Sequence, residues 1–136
     1  MPITTGFNHV AFLTTDMDRT VGFYEQAFGG TVTFVMERTD EHPYMKIVDI
    51  GGGASLNVFE VPADEIIGER RRQGGRGAVD HFAFAVDSHA TLELTQQRLK
   101  DAHAQEVGEI QRLGNEWSLF FRDPDGLELE VCCSAT

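Results

Sequence analysis

The sequence predicts an α+β fold made of two βαβββ modules, and three observations carry the prediction. First, Phe7-Asn8-His9-Val10-Ala11-Phe12 returns as Val79-Asp80-His81-Phe82-Ala83-Phe84, an offset of 72 residues that keeps His, Ala and Phe in place. Second, each copy of the motif is followed by one helix pattern and then three strand patterns. Third, 136 residues with 41% hydrophobic residues can bury a sizeable core, so the chain reads as one domain, 1–136. Module one spans about residues 7–61, a linker about 62–77, and module two about 78–133.

The elements follow in order. The repeated motifs alternate with the two-residue period of a strand, which puts His9 and His81 on strands. After the first, Asp16 or Thr15 can cap a helix whose Met17, Val21, Tyr24 and Phe28 recur at helical spacing, until Gly29 and Gly30 stop it. After the second, Ser88 caps a helix running to about residue 104, with Leu92, Leu99 and Ala102 as its buried face. β-Branched and aromatic residues then mark strands at 31–38, 44–50 and 55–61, and again at 107–112, 116–122 and 127–133. Turn residues at 40–43, 51–53, 114–115 and 123–126 separate them. In the linker, Pro, Gly and the basic residues Arg70, Arg71, Arg72 and Arg76 predominate; a short helical piece is expected around 65–73, and the basic run reads first as a solvated face.

Charge and composition narrow the function. Eleven basic against twenty-two acidic residues leave a net charge of −11, which repels a phosphate backbone or an anionic membrane, so neither nucleic acid nor membrane is an expected partner. No apolar run is long enough to span a bilayer, and Met1-Pro2-Ile3-Thr4-Thr5 lacks the marks of a signal peptide, so a cytoplasmic location is expected. Cys132 and Cys133 are adjacent and too close for an unstrained bridge.

Strand parity assembles the candidate site. Val10 and Phe12, or Phe82 and Phe84, supply an apolar face for a helix, which turns His9 and His81 to the opposite face. On the last strand Leu127, Leu129 and Val131 repeat that apolar face, and Glu128, Glu130 and Cys132 project with the histidines. A carboxylate on a largely buried sheet face needs a partner, and two imidazoles with one carboxylate suit a divalent cation. Leu56-Asn57-Val58 is the repeat mate of Leu129-Glu130-Val131, so Asn57 is the candidate fourth metal position; Glu60 has the opposite parity and would reach the site only through a bulge. Phe59, Trp117 and Phe120 are candidates for an apolar substrate wall, with core packing as the plainer reading of each. His42, His89 and His103 read as surface residues, and the Asp123-Pro124-Asp125-Gly126 stretch as a turn device.

These residues resemble the vicinal oxygen chelate superfamily, which includes glyoxalase I, fosfomycin-resistance transferases, methylmalonyl-CoA epimerase, extradiol dioxygenases and bleomycin-binding proteins. The resemblance covers nearly the whole chain. It rests on Asn8-His9-Val10-Ala11-Phe12, Phe23-Tyr24-Glu25 with Phe28-Gly29, Asp80-His81-Phe82-Ala83-Phe84, and Phe121-Arg122-Asp123-Pro124-Asp125-Gly126 followed by Leu129-Glu130-Val131. It implies paired modules forming a curved open sheet, the glyoxalase/bleomycin resistance-like fold, with one divalent metal ion (Zn, Mn, Ni, Co or Fe) on His9, His81 and Glu130. It also implies a homodimer.

Where related patterns carry Glu or Gln, this chain has Asn57, and an amide cannot take up a proton in a two-base shuttle. The implied activity is therefore chelation of a small molecule with vicinal oxygens and metal stabilisation of an enolate or alkoxide, as in a lyase, isomerase or transferase. Glu130 is the implied catalytic carboxylate, with Glu128 or Tyr44 as further candidates for proton movement. Two other readings stay open: a metal-free binding protein of the resistance type, whose acidic cup takes a cationic compound, and an Fe(II) extradiol-type dioxygenase.

Overall fold

A computed structural model describes residues 1–66 and 78–136. The chain divides into two compact units, Met1–Ile66 and a second that continues to Thr136. The first contains β1 (His9–Thr14), α1 (Met17–Phe28), β2 (Thr31–Met36), β3 (Tyr44–Gly51) and β4 (Ala54–Glu60); the second contains β5 (Phe82–Ala85), α2 (His89–Asp101), β6 (Gln111–Leu113), β7 (Glu116–Arg122) and β8 (Glu128–Ser134). Each unit forms a four-stranded sheet, in the orders β1-β4-β3-β2 and β5-β8-β7-β6. In both, the strand before the helix lies parallel to the last strand and the other pairings are antiparallel. This is the βαβββ plan, made twice.

Helix α1 begins where Asp16 accepts the backbone N–H of Arg19 at 3.1 Å. A second carboxylate assists: Glu60, at the end of β4, accepts the N–H of Met17 at 2.8 Å. The helix ends at Gly29, whose φ of 69° brings its N–H back to Glu25 at 2.9 Å. At Gly30 the reason for glycine is space, since a Cβ there would stand 2.8 Å from Cγ1 of Val48 and 3.3 Å from the carbonyl of Tyr24. Buried Met17, Val21, Tyr24 and Ala27 meet a sheet face carrying Phe12, Val48, Leu56 and Val58. The Tyr24 ring, fully buried, lies 5.8 Å from that of Phe12.

Helix α2 is capped by Ser88, which accepts the N–H of Thr91 at 3.2 Å. Its buried residues are Leu92, Thr95 and Leu99. Thr95 satisfies its hydroxyl internally by donating to the carbonyl of Thr91 at 2.7 Å. The expected core position Ala102 is instead the C-cap, because the helix stops at Asp101. α2 packs on β7 and β8, whose Leu119, Phe121, Leu129 and Val131 are buried.

Strand β6 is shorter than the expected 107–112. Only Gln111–Leu113 pairs with β7; upstream, Gln105 forms an isolated bridge to Arg122 and Gly108 donates to Phe120 at 2.9 Å. The 123–126 turn is built on Asp123, fully buried, whose Oδ1 accepts the N–H groups of Asp125 and Leu127 at 3.0 and 2.9 Å. Arg122 beside it pairs with Glu106 at 3.0 Å and donates to Gly126 at 2.9 Å. In the linker, Ala63–Glu65 forms a single 3₁₀ turn; the rest of the helical piece expected around 65–73, and Arg70, Arg71, Arg72 and Arg76, lie outside the described residues. No helix among the described residues is long and apolar enough to cross a membrane.

Candidate metal centre

Module two brings two of the expected ligands into contact. Glu130 on β8 lies opposite Ala83 of β5 and Phe120 of β7, so these side chains share the face turned away from α2. His81 immediately precedes β5 and keeps its alternation. Its Nε2 stands 3.1 Å from Oε2 of Glu130, across 49 residues of sequence, and the Phe120 ring meets the imidazole edge-on at 5.3 Å. The carboxylate is well sheltered, its side chain 13% exposed against 30% for His81.

The other imidazole nitrogen is held from behind. Nδ1 of His81 lies 2.7 Å from Oδ1 of Asp80. This contact is the main reason the His81 pKa is raised above 6.5; partial burial opposes it, and the Glu130 carboxylate adds to it. Asp80 holds the ring at Nδ1, which turns Nε2 toward Glu130.

Module one repeats the device in neutral form. His9 places Nδ1 2.8 Å from Oδ1 of Asn8. The parallel register sets His9 opposite Ser55, Ala11 opposite Asn57 and Leu13 opposite Phe59, so His9, Asn57 and Phe59 share one sheet face. Oδ1 of Asn57 is buried and has no hydrogen-bond partner. An orphaned amide oxygen on the face of a histidine is an acceptor open to a cation or to an N–H or O–H donor. Within module two, imidazole nitrogen and carboxylate oxygen are donors that suit a divalent ion of borderline hardness.

Other expected residues fall elsewhere. Glu60 lies opposite Thr14 on the helix side of β4, where its carboxylate caps α1 and stands 3.9 Å from Arg38, as its parity requires. Tyr44 pairs with Glu60 and so shares its parity, away from the Asn57 face. Trp117 corrects the expected substrate wall: it pairs with Cys133 and Arg112, alternates away from Glu130, and sets its ring 5.0 Å from that of His89 at the start of α2. Residues three apart on a strand point to opposite faces, so Trp117 and Phe120 cannot line the same wall. Phe120 is on the Glu130 face, and Phe59, on the Asn57 face, lies 5.8 Å from the ring of His42. Glu128 shares the Glu130 face, opposite Arg122.

Two features escaped the sequence reading. Asn8 and Asp80 orient the two rings, and the signal was present, since each directly precedes its histidine in the repeat. The second is Glu116 beside Cys132, which parity had already set on the Glu130 face: the Cys132 thiol pKa is pushed up to about 11, first by burial and then by the charges of Glu116 and Glu130.

Comparison with known proteins agrees with this architecture. The family model for the Glyoxalase/Bleomycin resistance protein/Dioxygenase superfamily matches residues 6–131. Metallothiol transferase FosB of Shouchella clausii is 30% identical over 131 residues, covering 95% of this chain and 80% of its own. The glyoxylase/bleomycin resistance protein/dioxygenase domain from Frankia sp. EAN1pec superposes with a TM-score of 0.77 at 24% identity, covering 96% of this chain and 98% of its own. A FosX fosfomycin resistance protein variant from Listeria monocytogenes, complexed with Mn(II) and 1S,2S-dihydroxypropylphosphonic acid, does so with 0.71 at 17% identity, covering 97% and 94%. Such structural likeness speaks for the fold, and the match across residues 6–131 settles the kinship: the chain belongs to the glyoxalase/bleomycin resistance protein/dioxygenase superfamily.

Proposed function

We propose that the protein is a divalent-metal-dependent enzyme acting on a small molecule with vicinal oxygens, with His9, His81 and Glu130 as metal ligands and Asn57 as a fourth donor. The observation that carries this reading is the 3.1 Å approach of His81 Nε2 to Glu130 Oε2 with Nδ1 already occupied by Asp80. A cation there would supply Lewis-acid polarisation of the substrate's oxygens. The chain's own residues do the rest. Asp80 and Asn8 hold the rings at Nδ1, which leaves Nε2 as the nitrogen for the ion. Phe120 presents an apolar ring beside His81, which limits water at that edge. Glu130 is the catalytic carboxylate of the proposal, held on the central strand of its sheet and largely out of solvent. Phe59 and Phe120 are the apolar substrate contacts. A cytoplasmic homodimer is part of the same proposal, supported by the free cysteines and by the resemblance.

Within this class, thiol transfer to a small electrophile is the favoured chemistry, because the relative at 30% identity over 95% of the chain is a metallothiol transferase by name. The test has two parts. Elemental analysis of purified protein is expected to show one divalent ion per chain fewer in His81→Ala than in the wild type; equal metal content in the two overturns the ligand set. Incubation of the metal-loaded protein with fosfomycin and low-molecular-weight thiols, followed by mass spectrometry, is expected to yield a thiol adduct. Turnover of other vicinal-oxygen substrates without any adduct would assign a different reaction at the same centre.

A further inference from the structure

The face that carries Glu130 holds a second group of donors, of which the proposed centre uses Glu130 alone. In the antiparallel register of β7 and β8, Glu116 lies opposite Ser134, Ser118 opposite Cys132 and Phe120 opposite Glu130. These side chains therefore point to one face, and candidate ligand atoms of Glu116, Glu130 and Cys132 lie within 4.8 Å of one another. Donors bound to one tetrahedral zinc-like ion at about 2.0–2.3 Å stand about 3.3–3.8 Å apart, so rotamer adjustments of about 1 Å close the group. An independent observation points to a ligand at the same place. Ser118, between Glu116 and Phe120 and directly across from Cys132, is 1% exposed, and its Oγ has no hydrogen-bond partner. A hydroxyl sealed beside two carboxylates and a thiol, and bonding to none of them, is a donor position left open.

We infer that Cys132, Glu116 and Glu130, with Ser118 as a neutral fourth donor, form a second metal position for a thiophilic divalent ion such as Zn2+, Co2+ or Cd2+. The inference goes beyond the proposed centre and shares only Glu130 with it. Binding removes the proton of the Cys132 thiol to solvent, and the resulting thiolate with two carboxylates offsets the charge of the ion. Sulfur in the donor set favours these ions over Mg2+, Ca2+ or Mn2+.

The test is titration of the metal-free full chain with Co2+ alone, read by the near-ultraviolet sulfur-to-cobalt charge-transfer band and by stoichiometry. The wild type is expected to develop the band. Cys132→Ser, a near-isosteric change, should lose it, while Cys133→Ser, altered on the opposite face, should keep it. Glu116→Gln, at an exposed position, should weaken the titration of the band at least about tenfold. His81→Ala separates the two positions, because it should keep the band while losing the other ion. No band in the wild type, or a band that survives Cys132→Ser, overturns the inference. Co2+ binding that depends on His81 but shows no sulfur band overturns this position and leaves the proposed centre standing. A band with full His81→Ala stoichiometry does the reverse.

Discussion

The two modules share a backbone plan but not a charge. In module one the ring of His9 leans on an amide, Asn8, and the strand facing it offers another amide, Asn57; in module two the ring of His81 leans on a carboxylate, Asp80, and meets a carboxylate, Glu130. The helices differ too. α1 buries Met17, Val21, Phe23, Tyr24 and Ala27, whereas α2 buries only Leu92, Leu99 and a self-bonded Thr95. Duplication fixes where side chains stand, and substitution at matched positions then divides the labour: module one contributes apolar mass and neutral donors, module two the anionic ones.

The largest expected effect tests whether the cores are equivalent despite that division. Leu56 and its repeat mate Leu129 are both fully buried under a helix. Leu56→Ala and Leu129→Ala should each cost about 2–5 kcal/mol by denaturant melts. A cost confined to one module would break the equivalence. Next comes the charge difference itself. Asp80→Asn, which makes module two's ring support like module one's, should lower metal affinity about 10–100-fold in a competitive chelator titration, and Asn8→Asp should shift it the other way. Equal affinities in all three proteins would mean that the ring supports do not tune the ligands.

Smaller effects follow at the helix starts. Asp16→Ala should cost about 1 kcal/mol, and Ser88→Ala a similar amount, since each removes the acceptor of a first-turn N–H. The smallest effect is a pH dependence at the start of α2. Asp87 accepts the hydroxyls of Thr91 at 2.6 Å and Ser88 at 3.1 Å, and the Thr91 bond chiefly holds its carboxyl below the ordinary value of 3.8. A depressed folded-state pKa gives stability that is present above 3.8 and fades as pH falls through the folded value. Asp87→Asn should therefore narrow the acid-side loss of thermal stability slightly and leave the neutral melting temperature nearly unchanged, as read by calorimetry across the acid range.

The sequence made legible whatever a period can encode. The repeat disclosed both modules, and parity alone put His81 and Glu130 on one face and Glu60 on the other, as the coordinates have them. What it hid depends on register or on neighbours. Trp117 was misplaced because hydrophobicity was weighed without the parity that separates it from Phe120. The strand expected at 107–112 rested on Val107 and Ile110, but Gly108 approaches Phe120 so closely, 3.3 Å from a notional Cβ to its carbonyl, that only a single bond forms there and pairing waits until Gln111. The second helix was drawn too long because no glycine marks its end; Ala102 closes it and His103 turns at a φ of 59°. The association of Glu116 with Cys132 required the β7 and β8 alignment, which no local pattern announces.

The parallel ladder between β1 and β4, and its copy between β5 and β8, has a consequence for synthesis on the ribosome. A strand translated first in each half stays without a mate until the fourth has emerged, so neither sheet can close progressively from its leading end. Each half is expected to be acquired in one late step, after its final strand clears the exit tunnel, and the nascent chain presents an unmatched histidine-bearing segment until then.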